Sequence, residues 1–114
     1  LKTIIAGSRE ITDYKIVKKA IKKSGFKITE VVSGKARGVD TLGEKWAKEH
    51  NIPIKKFPAD WEKYGRSAGP IRNQEMAKYA DALIAIPLPE GKGTQHMIKT
   101  ARKDGIKVFV YIIK

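Results

Sequence analysis

Four stretches of the sequence set glycine beside a hydroxyl or basic side chain: Gly7-Ser8-Arg9, Ser33-Gly34-Lys35-Ala36-Arg37-Gly38, Gly69-Pro70-Ile71-Arg72-Asn73 and Gly91-Lys92-Gly93-Thr94. Glycine lets backbone N–H groups approach an anion closely, a helix opening just after it adds the positive end of its dipole, and arginine adds a two-pronged clamp. The chemistry such loops serve is phosphate recognition. For any one loop the plainer reading is a tight turn and a solvated cation, but the four together point to one site. No G-x-x-x-x-G-K-[ST] run occurs, and after Gly91 and Gly93 the third glycine of a dinucleotide fingerprint is replaced by His96. Standard ATPase and NAD-dehydrogenase readings lose weight accordingly.

Other chemistry-bearing residues are fewer. Asp40 and Glu44 stand four apart on one predicted helix face, where paired carboxylates could do acid–base work; a helix cap and a surface charge beside Lys45 and Lys48 is the plainer reading. Asp60, in a proline-bearing loop, reads as a local turn acceptor. Trp61 and Tyr64 next to Arg66 could stack a base and hold its phosphate, or could anchor the loop. Trp46 falls in line with Leu42 and Ala47 as core. His50 and His96 lack a second histidine at ligand spacing, so no metal site is expected. Lys15, Lys18, Lys19, Lys22 and Lys23 form a basic stripe that could track a nucleic-acid backbone. With no aromatic interleaved in the sequence, it reads first as a solvated helix face.

The elements that must position these residues follow from periodicity. Lys2 to Ala6, Ile28 to Ser33, Ala82 to Pro87 and Lys107 to Ile113 are short β-branched or apolar runs that read as buried strands, with Ile52 to Phe57 a weaker fifth, demoted by Pro53. Helical spacing fills the gaps: Asp13 to Ser24, Val39 to His50, Pro70 to Ala80 and Thr94 to Asp104. Thr12 is read as the first N-cap, Gly25 and Gly105 as stops, and Pro70 as a first-turn residue. The alternation predicts an α/β three-layer sandwich, a Rossmann-like sheet of five mostly parallel strands with helices on both faces. Ligands in such sheets sit beyond the carboxyl ends of the strands. Pro58 to Gly69 is left as one long connection, a length at which loops are often functional.

Composition bounds the rest. The 114 residues suit one hydrophobic core, so residues 1–114 are read as one domain. No apolar run approaches the roughly 18 residues of a membrane span, and no leader pattern opens the chain, so no membrane role is expected. The absence of cysteine fits a cytoplasmic location. Twenty-four basic against 12 acidic side chains, a formal charge of +12, favour anionic partners.

Five ordered segments carry a resemblance across nearly the whole chain: Ala6 to Arg9, Val32 to Asp40, Pro58 to Trp61, Ala68 to Met76, and Gly93-Thr94. They resemble the SLOG superfamily of Rossmann-like nucleotide-binding domains, and within it the small YspA-like proteins. Two branches share pieces of the pattern. The DNA-processing protein A branch, which binds single-stranded DNA, is similar at Gly7 to Arg9, Ser33 to Asp40 and Arg72-Asn73. The cytokinin-activating phosphoribohydrolase branch, which splits the N-glycosidic bond of nucleoside monophosphates, is similar at Arg72 to Met76 and Gly91 to Thr94. In that branch an arginine at the Arg72 place works with a glutamate where this chain has Met97, which cannot move a proton.

The resemblance implies a nucleotide or nucleotide-derived ligand, no resident cofactor, and a homo-oligomer, a dimer by analogy. On that reading Gly7, Ser8, Ser33, Gly34, Gly38, Gly91, Gly93 and Thr94 build the phosphate cradle. Arg9, Arg37 and Arg72 neutralise charge, Asn73 and Gln95 orient sugar or base, Asp40 faces the ligand, and Trp61 stacks on it. The alternatives are a nucleotide N-glycosidase using Arg72 with Asp40, Glu44 or Glu75, and a protein that binds single-stranded nucleic acid.

Overall fold

A computed structural model describes residues 1–89 and 91–113. Five strands alternate with helices: β1 (Lys2–Gly7), α1 (Tyr14–Ser24), β2 (Glu30–Ser33), α2 (Val39–Glu49), β3 (Ile54–Lys56), α3 (Trp61–Tyr64), α4 (Ala68–Tyr79), β4 (Ala82–Ile86), α5 (Lys92–Lys103) and β5 (Lys107–Val110). The strands form one sheet in the order β3-β2-β1-β4-β5, and every neighbouring pair is parallel. This is the expected Rossmann-like α/β architecture.

The strands are apolar on both faces because both are covered. Ile4, Val32, Leu83 and Ala85 point into a core with Met76 and Ala77 of α4 and Met97, Ile98 and Ala101 of α5. Their neighbours Ile5, Val31, Ile84 and Ile86 point the other way, onto Val17, Ala20 and Ile21 of α1 and Val39 and Ala47 of α2. The two-residue period of the strands thus sorts successive side chains into opposite layers. Gly43 is a packing necessity, since a Cβ there would stand 2.9 Å from Ile5.

Several boundaries differ from the expected ones. Asp13, not Thr12, caps α1, its carboxylate accepting from the Lys15 N–H at 2.9 Å, while Gly25 ends the helix in the left-handed region as expected. The Pro58 to Gly69 connection is not a plain loop. Asp60 caps the single turn α3, a 3-10 turn (Gly65–Ser67) follows, and α4 opens at Ala68, two residues before Pro70. Helix α5 likewise opens at Lys92 rather than Thr94, which draws Lys92 and Gly93 into its first turn. Strand β5 stops at Val110, short of Ile113. Among the described residues, no helix is long and apolar enough to cross a membrane.

Candidate functional site

Connections from the carboxyl end of β1 run to α1 on one face of the sheet, and those from neighbouring β4 run to α5 on the other. A crevice opens where two adjacent strands send their chains apart, the usual ligand position in such sheets. A cleft of about 340 Å³ occupies that place here, lined by Gly7, Ser8, Arg9, Glu10, Ala36, Asp40, Arg72, Asn73, Met76, Leu88, Gly91, Lys92, Gly93, Thr94 and Met97 among others.

Close backbone approach makes the floor. A Cβ on Gly7 would lie 2.5 Å from the Ile86 carbonyl oxygen and 2.7 Å from Val39, so β1, β4 and the start of α2 meet only because residue 7 has no side chain. Gly38 is constrained twice: its φ is 75°, and a Cβ would stand 2.4 Å from the Ser8 carbonyl oxygen. Buried Ser8 holds the turn with its backbone N–H on the Ile86 carbonyl at 3.1 Å, while its hydroxyl accepts from the Glu10 N–H at 3.1 Å.

Asp40 and Arg72 reach the cleft from opposite layers. Asp40, in the first turn of α2, is only 5% exposed. It is not the N-cap, a place taken by Gly38; its carboxylate instead accepts the Ala36 N–H at 3.4 Å and feels the Gly7 backbone dipole. Burial pushes the Asp40 carboxyl up to about 6, against the lowering pull of the Arg72 charge and those backbone donors, with nearby Glu44 adding to the rise. Arg72 sits in the second turn of α4. Its Nη1 donates to the Gly34 carbonyl at 2.6 Å and its Nε to Asn73 Oδ1 at 3.0 Å. Burial lowers the Arg72 pKa, Asp40 opposes that shift and Arg9 reinforces it. The guanidinium is therefore fixed in orientation by two neutral oxygens.

Asn73 links α4 to α5: its Nδ2 donates to the Gly93 carbonyl at 3.3 Å and lies 3.1 Å from His96 Nδ1. Thr94 is buried at the cleft wall. Ser33 and Glu44 form a separate buried unit behind it, the Ser33 hydroxyl donating to Glu44 Oε2 at 2.6 Å and Lys35 Nζ to Oε1 at 3.3 Å. Lys35 itself takes a left-handed φ of 62° and donates its N–H to Ser33 Oγ, which fixes the Gly34 carbonyl that Arg72 uses.

Of the residues the sequence singles out, Gly7, Ser8, Arg9, Asp40, Arg72, Asn73, Gly91, Gly93 and Thr94 meet in the cleft. Ser33, Gly34 and Gly38 support it from behind. Arg37 points to solvent and pairs with Glu10 at 3.7 Å, Gln95 and Glu75 are exposed, and Glu44 faces Ser33. Asp40 is thus the one carboxylate of the three candidates at the cleft. Trp61 is 52% exposed and does not line it, although its ring edge and the Arg72 guanidinium both lie within 4 Å of the point a Gly69 Cβ would occupy. Glu10, Met76, Leu88 and Lys92 also line the cleft and were not among the ligand contacts expected from the sequence; Lys92 lies inside the Gly91 to Thr94 stretch and Glu10 directly follows Gly7-Ser8-Arg9, whereas Leu88 carried no signal.

A parallel sheet ordered β3-β2-β1-β4-β5, with a cleft of mixed polar and apolar lining at its switch point, defines a Rossmann-like α/β protein. The chain belongs to the YspA, cpYpsA-related SLOG family, whose model matches residues 1–64. It is 40% identical over 84 residues to the Gene 61 protein of Mycobacterium phage D29, covering 68% of this chain and 67% of that relative. Its fold is similar to that of DNA processing protein A (DprA) from Streptococcus pneumoniae, with a TM-score of 0.77 at 19% identity over 96% of this chain. The chain spans about half the length of that protein, 49%.

Proposed function

We propose that the switch-point cleft binds a nucleotide or nucleotide-derived ligand through its phosphate and ribose. The observation that carries this reading is the Arg72–Asp40 arrangement. A guanidinium held by two neutral acceptors stands beside a buried carboxylate, at the open edge of a parallel sheet, with Lys92, Gly93 and Thr94 opening a helix across from them. Arg72 and the first-turn N–H groups of α5 suit a phosphate, and ionised Asp40 suits ribose hydroxyls. Family membership supports the same ligand class.

Binding is favoured over hydrolysis because buried Met97 lines the cleft where the phosphoribohydrolase branch carries its glutamate, leaving, among the described residues, buried Asp40 and exposed Glu10 as the carboxylates that line it.

The test is a thermal-shift panel of nucleoside monophosphates, ADP-ribose, NAD and cyclic dinucleotides at low and high salt. A ligand at a hundredfold its Kd adds about 2.7 kcal/mol of stability. One small nucleotide is expected to stabilise the protein at both salts, and Arg72→Gln to abolish the shift. A panel with no response, or a response that Arg72→Gln leaves intact, overturns the reading. Release of free base from the stabilising nucleotide would replace binding by hydrolysis.

A further inference from the structure

Away from the cleft, and sharing no lining residue with it, a second concavity of about 410 Å³ runs between α1 and the segment after β5. Lys15, Lys19 and Lys23 form one wall, and Ile16, Tyr111, Ile112 and Ile113 the rest. The three lysines are successive members of an i, i+4, i+8 row, about 6 Å apart along the helix at 1.5 Å per residue.

Two features separate this wall from an ordinary solvated helix face. The first is charge without compensation: α1 carries five lysines and no carboxylate, and among the described residues none of the five forms an ion pair. The neighbouring acids are occupied at its first turn, Asp13 capping the helix and Glu49 accepting from the Tyr14 hydroxyl at 2.6 Å. The second is an aromatic that folding brings in from 88 residues beyond Lys23. Tyr111 is half-buried in the groove, with Lys23 Nζ 5.8 Å from its ring centroid. Ile112 beside it is 56% exposed.

A row of evenly spaced cations along an apolar, aromatic floor matches a polymer that offers regularly spaced phosphates on one side and flat, unpaired rings on the other. We propose that this groove binds single-stranded nucleic acid, the α1 lysines following the phosphates and Tyr111 stacking a base. A duplex can use the lysines but hides its base faces from Tyr111, so single strand is preferred. A membrane surface would meet a concave wall across which its headgroups could not spread.

The proposal does not rest on the cleft reading. Its test is fluorescence anisotropy of a labelled oligothymidylate and of a duplex of equal length, titrated across salt. Lys15→Gln/Lys19→Gln/Lys23→Gln, at exposed positions that leave the core untouched, is expected to weaken single-strand binding and to make the slope of log K against log salt shallower by about 2, at roughly 0.7 per phosphate contact. Tyr111→Leu keeps an apolar side chain under the groove; it is expected to weaken single-strand binding roughly 5- to 150-fold, the loss of one stacked base, with the salt slope unchanged. Equal affinity for duplex and single strand, or a triple variant that binds with wild-type affinity and slope, overturns the proposal. So does lysine-dependent binding to anionic phosphatidylserine vesicles in place of the oligonucleotide.

Discussion

Asp40 offers the sharpest check on whether the cleft is built for a ligand or for stability. A carboxyl whose folded-state value lies near 6, against an ordinary 3.8, holds its proton more tightly in the folded chain than in the unfolded one. Between those two pH values the folded state therefore binds more protons, and stability falls as pH rises. Below pH 3.8 both states are protonated and the penalty is absent; above pH 6 it is fully present. At 1.36 kcal/mol per pH unit, the window from 3.8 to about 6 amounts to about 3 kcal/mol. Asp40→Asn keeps the shape and removes the charge. The variant is expected to be more stable than the parent at pH 8, by up to about 3 kcal/mol or roughly 10 °C in Tm, with the difference shrinking toward zero at pH 4. Urea unfolding of both proteins across pH 4 to 8 measures it directly. An Asn variant less stable than the parent at pH 8 would refute the reasoning, for the ionised carboxylate would then be holding the fold together. The expected result instead marks Asp40 as a charge retained at the expense of stability, the trade-off found at functional sites.

Four further substitutions probe the scaffold and the rim of the cleft. Gly38→Ala places a methyl 2.4 Å from the Ser8 carbonyl oxygen at a φ of 75°, and is expected to cost at least about 3 kcal/mol, read as a collapse of the cooperative thermal transition. Ser33→Ala removes the hydroxyl that donates to buried Glu44 and is expected to cost about 1–3 kcal/mol in denaturant unfolding, whereas exposed Glu75→Gln should stay within about 0.5 kcal/mol. Trp61→Ala should leave Tm within about 2 °C because the side chain is half exposed and, since Trp61 does not line the cleft, should leave affinity for the stabilising nucleotide unchanged to within about twofold; a loss of about fivefold or more would place Trp61 against the ligand.

The architecture was legible because it is written in local periods. Alternating apolar strands and helices separated by Gly25, Gly38 and Gly105 are features within a dozen residues, and so are the glycine-bearing loops that end at the cleft. What stayed illegible is long-range or short-lived in sequence. Helix α3 is a single turn, too brief to leave a periodic trace, and it exists through the Asp60 cap. Glu44, four residues from Asp40 and flanked by lysine, looks like a surface charge; only the pairing of β2 with α2 brings it to Ser33. His96 reads as a solvated helical histidine until α4 sets Asn73 against it. The α1 lysines look like a plain basic face until β5 delivers Tyr111.

The same contrast explains why the cleft draws its charged pair from two layers. Every helix following a strand of a parallel sheet starts at the strands' carboxyl edge, so the first turns of α2, α4 and α5 gather there from both faces. Asp40 comes from the α1/α2 layer and Arg72 from the α4/α5 layer, and the Gly34 carbonyl between them is the acceptor through which the β2–α2 loop holds the arginine of the opposite layer. A ligand bridging Asp40 and Arg72 would therefore add a second tie between α2 and α4 beside the Arg72–Gly34 bond. Stabilisation by such a ligand should appear as slowed amide exchange in the first turns of α2, α4 and α5 together. Protection confined to α5 would mean that the anion sits on that helix alone and that Asp40 and Arg72 act as a structural pair.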